Sequence, residues 1–109
     1  MSPLTTTHHA TATGPVLRVG GDLDYEHAPA LREHVERVVL TPGQCLTVDL
    51  SDLQFCDSSG ITALLAARRH TQAAGAALVL AHVPANTLRI LAIVGLDQVF
   101  TIHPGSGTV

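Results

Sequence analysis

The sequence predicts an α/β domain, and three observations carry that prediction. Short apolar and β-branched runs recur along the chain, stretches with a helical period lie between them, and glycine or proline marks most junctions. Alternation of this kind indicates strands and helices packed as layers of one domain. The 109 residues are most simply a single domain, long enough to bury a core without disulfides or metals.

The elements follow in order. Residues 1–14 are rich in Thr, His and Ala without periodicity and are expected to form a flexible tail. In PVLRVGGDLDY, Val16, Leu17 and Val19 read as a strand, Gly20-Gly21 as a break, and the residues around Leu23 as a second short strand or loop. From Glu26 the period changes: Leu31, Val35, Val38 and Val39 fall on one helical stripe. Arg32/Glu36 and Glu33/Arg37 are i,i+4 partners on its solvent side. Pro29 sits in the first turn, where a missing N–H is tolerated, and TPG at 41–43 ends the helix. QCLTVDLS is a short strand that stops at Ser51-Asp52, and DLQFC is a brief connection. A helix is predicted from Ser58 to about Ala74, with Ile61, Leu64 and Leu65 as its apolar patch and Gly75 as its C-cap. AALVLAHV is the next buried strand. PANTLRILAIVGLDQVF gives a shorter helix with Leu88, Leu91 and Ala92 inward and Gly95-Leu96 as terminator, and VFTI a last strand. Residues 104–109 read as a polar C-terminal tail.

Composition excludes several functions. Apolar residues make up 46% of the chain and charged ones 14%, which argues against disorder. No run approaches the roughly 20 apolar residues of a membrane span, and the N-terminus lacks the basic and apolar regions of a secretory signal. A soluble, cytoplasmic domain is expected. The net charge of −3, with six Arg, disfavours a nucleic-acid grip, and 3% aromatic residues leave little for base stacking. The chain contains no lysine, which removes Schiff-base chemistry and a P-loop lysine. Cys45 and Cys56 lack CxxC spacing and read as free thiols. His8-His9, and His70, His82 and His103, follow no metal-ligand spacing, so neither metal nor cofactor is expected.

The stretch FCDSSGIT, residues 55–62, places an acid and two hydroxyls where a strand gives way to a helix. Asp57 or a serine would cap the free amides of the first turn, and those amides with the helix dipole also favour an added phosphate. Catalysis by Ser58 or Ser59 would need a base and an oxyanion hole; DSSGI lacks the G-x-S-x-G arrangement, and no histidine shows an Asp-oriented partnership in the sequence. Gly20-Gly21 is no dinucleotide fingerprint. Asp22, Asp24 and Glu26 crowd one strand end and Asp49, Asp52 and Asp57 another, which points to an acidic face able to dock on a basic partner.

Three stretches together, GDLDYEHAPALREHV, the VDLS strand and DSSGI opening a helix, resemble the STAS-domain anti-sigma factor antagonists. The likeness runs from about residue 15 to residue 103. It implies a STAS-type domain, a mixed β-sheet with helices packed mainly on one face. It also implies a non-enzymatic switch. The dephospho form binds an anti-sigma factor with serine kinase activity and frees a sigma factor; phosphorylation at the first motif serine, Ser58, dissolves the complex, and a PP2C-type phosphatase resets it. The partner-binding residues so implied are Asp22, Asp24, Asp57, Ser58, Ser59, Gly60 and Ile61. A STAS module that binds a small ligand or nucleotide, or serves another signalling or transport complex, is the alternative. Two departures stand out. Thr62 replaces a glycine common in the family, and HPGSGTV is too short for the C-terminal helix that many members add after the last strand, a lack that would leave a thin core edge or favour a homodimer.

Overall fold

A computed structural model describes residues 2–104. Nine main elements alternate along the chain: β1 (Thr5–Thr11), β2 (Gly14–Leu23), α1 (Ala28–Arg37), β3 (Cys45–Asp49), β4 (Leu53–Cys56), α2 (Ser58–Ala73), β5 (Ala77–Val83), α3 (Ala85–Ile93) and β6 (Thr101–Pro104), with a 3-10 turn at Leu96–Gln98. The six strands form one mixed sheet in the order β1-β2-β3-β5-β6, and β4 pairs β2 off that path. β1 is antiparallel to β2, and every other pairing is parallel. The α/β class with a mixed sheet is as the sequence predicts.

Alternation along the strands decides which side carries the core. Leu17 and Val19 on β2, Leu46 and Val48 on β3, and Leu78 and Leu80 on β5 are buried on one face, where α1 adds Leu31 and Val35 and α2 adds Ile61, Leu64 and Ala67. Each fully buried leucine stabilises the fold by about 1.5–3 kcal/mol relative to exposure. The opposite face carries Arg18, which pairs with Asp49 at 3.7 Å and Asp52 at 3.6 Å. The helices therefore lie mainly on one face of the sheet.

Four local expectations change. The N-terminal tail expected over 1–14 contains β1, whose seven residues pair Thr5 with Gly20 through Thr11 with Gly14. Its Thr and His side chains are mostly exposed, so an edge strand here needs no apolar period and leaves none to read. The connection expected at DLQFC is β4, paired to β2 from Gly21↔Leu53 to Leu23↔Cys56. The Gly20-Gly21 break is instead a bulge inside one continuous β2: its register shifts between Gly21 and Asp22, and Gly21 has φ +83. Two residues leave their expected inward faces: Val39 is 83% exposed because α1 ends at Arg37 and Val38 is already extended, and Ala92 is exposed near the end of α3, where Thr87 is buried with Leu91. Gly75 does follow α2 with φ +73, as expected of a terminating glycine. The tail expected at 104–109, and the helix missing from it, lie outside the described residues apart from Pro104 at the end of β6.

Candidate functional site

The site is assembled where two neighbouring parallel strands stop. β2 and β4 end together at Leu23 and Cys56, and the Asp57 N–H donates to the Leu23 carbonyl at 3.3 Å. Asp24 and Asp57, far apart in sequence, therefore emerge side by side at the carboxyl edge of the sheet, the place where open α/β folds gather functional residues.

Asp57 is the N-cap of α2. Its extended backbone (φ −107, ψ −169) aims the carboxylate back at the helix, and Oδ1 accepts from Ser59 N at 2.9 Å and Gly60 N at 3.1 Å. Capping, the simpler sequence reading of DSSG, is what the acid does. Ser58 is the first helical residue and is exposed; its carbonyl accepts from the Thr62 hydroxyl at 3.0 Å, and among the described residues no hydrogen bond uses its own hydroxyl. Ser59 is half-buried.

Gly60 and Ile61, which the family resemblance places among the partner-binding residues, are buried. A Cβ at Gly60 would lie 2.5 Å from the Leu23 carbonyl oxygen and 2.7 Å from the Cys56 sulfur, so glycine is what lets α2 begin against the ends of both strands. Cys56 itself is buried. Burial first, and then the Asp57 charge, push its thiol up to about 12, which leaves it inert. Cys45 is a half-buried free thiol.

Asp24 braces the turn that leads into α1, whose N-cap is His27. Its carboxylate accepts from the His27 N–H at 3.1 Å and lies 2.8 Å from His27 Nδ1, while its carbonyl accepts from the Ala28 N–H at 2.8 Å. Partial desolvation raises the Asp24 pKa, but the hydrogen bonds from the His27 ring and backbone, with the His27 charge, outweigh it and leave the carboxyl below its ordinary 3.8. An Asp-oriented histidine thus exists, where the sequence shows none, but among the described residues no serine hydroxyl bonds His27. The Ser59 and Gly60 amides, the ready candidates for an oxyanion hole, are already filled by Asp57.

The remaining acids divide. Asp22 lies on β2 opposite Phe55, and its carboxylate accepts from Ser2 N at 3.1 Å. Asp49 and Asp52 are drawn to Arg18 on the face of the sheet opposite the helices and do not join Asp57. The sequence reading missed two aromatic residues: Tyr25, 82% exposed, beside Asp24, and Phe55, 49% exposed, just before the motif. Tyr25 with Pro29, Arg32, Glu33, Ser59 and Thr62 lines an open groove of about 440 Å³ between α1 and the start of α2. A lone aromatic after an acid carries no periodic signal, so only the fold could bring Tyr25 to the serines. Among the described residues no group of three or more His, Cys, Asp or Glu side chains is arranged to hold a metal, and no helix is long and apolar enough to cross a membrane.

Comparison with known proteins bears on the family and the fold. A family model described as the Mlab, STAS domain matches residues 7–103. A STAS-domain containing protein of Pseudomonas aeruginosa (strain UCBPP-PA14) is 33% identical over 86 residues, 79% of this chain and 84% of that protein. The crystal structure of an anti-sigma factor antagonist from Mycobacterium paratuberculosis matches with a TM-score of 0.81 at 27% identity, covering 95% of this chain and 88% of that one. A sulfate transporter family protein from Wolinella succinogenes matches with a TM-score of 0.71 over 84% of this chain and 77% of its own; at 16% identity that likeness is of fold alone.

Proposed function

The chain belongs to the STAS-domain family, and from that premise we propose that it is an anti-sigma factor antagonist controlled by phosphorylation at Ser58. In this reading the dephospho form binds an anti-sigma factor that is also a serine kinase and so frees a sigma factor. Phosphorylation dissolves the complex, and a PP2C-type phosphatase restores it. The docking face comprises Asp22, Asp24, Asp57, Ser58 and Ser59, joined by the exposed Tyr25 and Phe55 and by the groove beside Ser59.

One observation carries the reading: Ser58 is exposed at the first position of α2 while Asp57 already occupies the amides behind it. A phosphate adds roughly −1.5 to −2 charges at neutral pH. At a free helix N-terminus that charge would be welcome. Here it arrives beside a carboxylate holding the same amides, so phosphate and Asp57 compete for one cap. Charge repulsion and a disturbed first turn then alter the docking face locally, with the β3–β5 ladder beneath unchanged.

Affinity capture from native lysate, repeated with ATP, tests this. The expected catch is a kinase-like ATPase, with one phosphate added at Ser58, no such gain in Ser58→Ala, and weakened binding in Ser58→Asp. Wild-type affinity in Ser58→Asp, or a phosphate that goes to Ser59 instead, would count against the assignment. A second reading, a module that binds a small ligand or nucleotide or serves as an accessory subunit of a transport complex, is supported on its ligand side by the groove between α1 and the start of α2. Recovery of a membrane complex with no ATP-dependent mass gain would support it.

A further inference from the structure

The N-terminal strand carries a second polar constellation, away from the serines. β1 is an edge strand with mostly exposed side chains, held by its ladder to β2, by Leu4 packed against the core just before it, and by contacts with α1. Its register puts Thr6 opposite Val19 and His8 opposite Leu17, on the helix side of the sheet, where α1 presents His34. His8 Nδ1 lies 2.7 Å from His34 Nε2, and His34 Nδ1 lies 2.7 Å from the Thr6 hydroxyl oxygen. The two rings meet edge to face with centroids 4.9 Å apart.

An imidazole–imidazole hydrogen bond needs a single proton between its nitrogens. In the neutral pair, His34 can donate from Nδ1 to Thr6 and accept the His8 Nδ1 proton at Nε2. One added proton is accommodated: a His34 imidazolium donates at both nitrogens, and His8 accepts at Nδ1. A second proton sets N–H against N–H at the same short distance, and no tautomer remains to relieve it.

The surroundings offer no compensation. Arg37 of α1 lines the cleft beside His8, together with the uncharged Val39 and Gln44. On β2 the facing residues are the apolar Leu17 and Val19, while His9 and Arg18 fall at the alternate register positions, on the other side of the sheet. Glu33 and Glu36 open onto the groove toward α2. Among the described residues no carboxylate bonds either ring. Burial first, and then the His8 and Arg37 charges, hold the His34 ring below its ordinary 6.5.

We propose that the His8–His34–Thr6 contact is a pH-sensitive latch on the N-terminal strand, closed while the histidine pair holds at most one proton and released when it takes two. Release uncovers more than a sheet edge. The chain before β1 runs on beside β2: Ser2 N–H donates to the Asp22 carboxylate at 3.1 Å, and Asp22 N–H donates to the Ser2 carbonyl at 3.0 Å. A side chain at Gly21 would collide with the Pro3 carbonyl, so the bulge is shaped to this strap. Opening the latch bares Asp22. That partner binding then changes rests on the function proposed above; the latch does not.

The sign follows from proton counting. A released pair takes both protons near the ordinary imidazole value, whereas the latched pair resists the second, so the open form binds more protons. Latch stability is complete above about pH 6.5 and is lost as pH falls below it, the opening constant rising about tenfold per unit for one extra proton.

Amide hydrogen exchange by NMR on the whole chain, normalised to the intrinsic rate at each pH, reads the latch without any partner. Between about pH 7.5 and about pH 5, protection in β1 should fall about 30-fold relative to β3. His34→Gln and His8→Asn should abolish that response, and His9→Gln should keep it. Equal relative protection at both pH values in the wild type overturns the proposal, as does a response that survives in His8→Asn. Should His34→Gln detach β1 at every pH, the exposed and uncharged His8→Asn decides the matter alone.

Discussion

Replacing Gly60 by alanine puts a methyl group where α2 starts against the ends of β2 and β4. At a solvent-exposed helical position the change would stabilise by up to about 1 kcal/mol, because alanine is the better helix former. At Gly60 the new Cβ meets the Leu23 carbonyl oxygen at 2.5 Å, the Cys56 sulfur at 2.7 Å and the Leu23 Cγ at 2.8 Å. The first of these is backbone and cannot rotate aside, so the helix must move outward, and the cap bonds from Ser59 and Gly60 to Asp57 move with it. Overpacking of this kind costs about 1–3 kcal/mol, and a strained cap adds to it. Allowing for the gain in helix propensity, a net loss of about 2 kcal/mol is expected, or a urea midpoint lower by about 1 M for a domain of this size. Equilibrium urea unfolding followed by far-UV circular dichroism measures it. A midpoint equal to or above that of the wild type would refute the close approach of α2 to the strand ends, and with it the positioning of Ser58.

Two further outcomes follow from the two aspartates. Asp57→Ala should cost about 1–2 kcal/mol by chemical denaturation, while Asp57→Asn, which keeps an acceptor for the same two amides, should stay close to the wild type; equal damage from both would mean that the charge matters and the cap does not. Asp24 has a lowered pKa in the folded state, so its contribution to stability is complete above about 3.8 and is lost as pH falls through the folded value. His27→Ala should therefore flatten the acid limb of the stability–pH profile below about pH 4, measured by urea titration at stepped pH, and an unchanged limb would contradict the pairing.

The parts of the fold that were legible from sequence are those where burial imposes a period. Leu31 and Val35 on α1, Ile61 and Leu64 on α2, and the β3 and β5 runs all declare their faces. β1 could not be read because its side chains are polar or small and mostly exposed, and its pairing is made by backbone groups that any residue supplies. β4 was hidden by brevity: four residues with only Leu53 and Cys56 buried do not complete an alternation. At the site, the cap role of Asp57 was legible because capping is local chemistry. The burial of Gly60, the groove beside Tyr25 and the Asp24–His27 pair depend on contacts between segments, which no spacing encodes.

The change of partner along β2 has a mechanical consequence. Val16–Arg18 bind β3, whereas Gly21–Leu23, past the bulge, bind β4. The sheet is thus forked, and the prong that ends at Asp24 and Ser58 is a short ladder separated from the long one by the bulge at Gly21. A disturbance at Ser58 can fray that prong while the β3–β5 ladder beneath it stays intact. Such a crack-stop lets the signalling end be rewritten repeatedly without placing the whole domain at risk of unfolding.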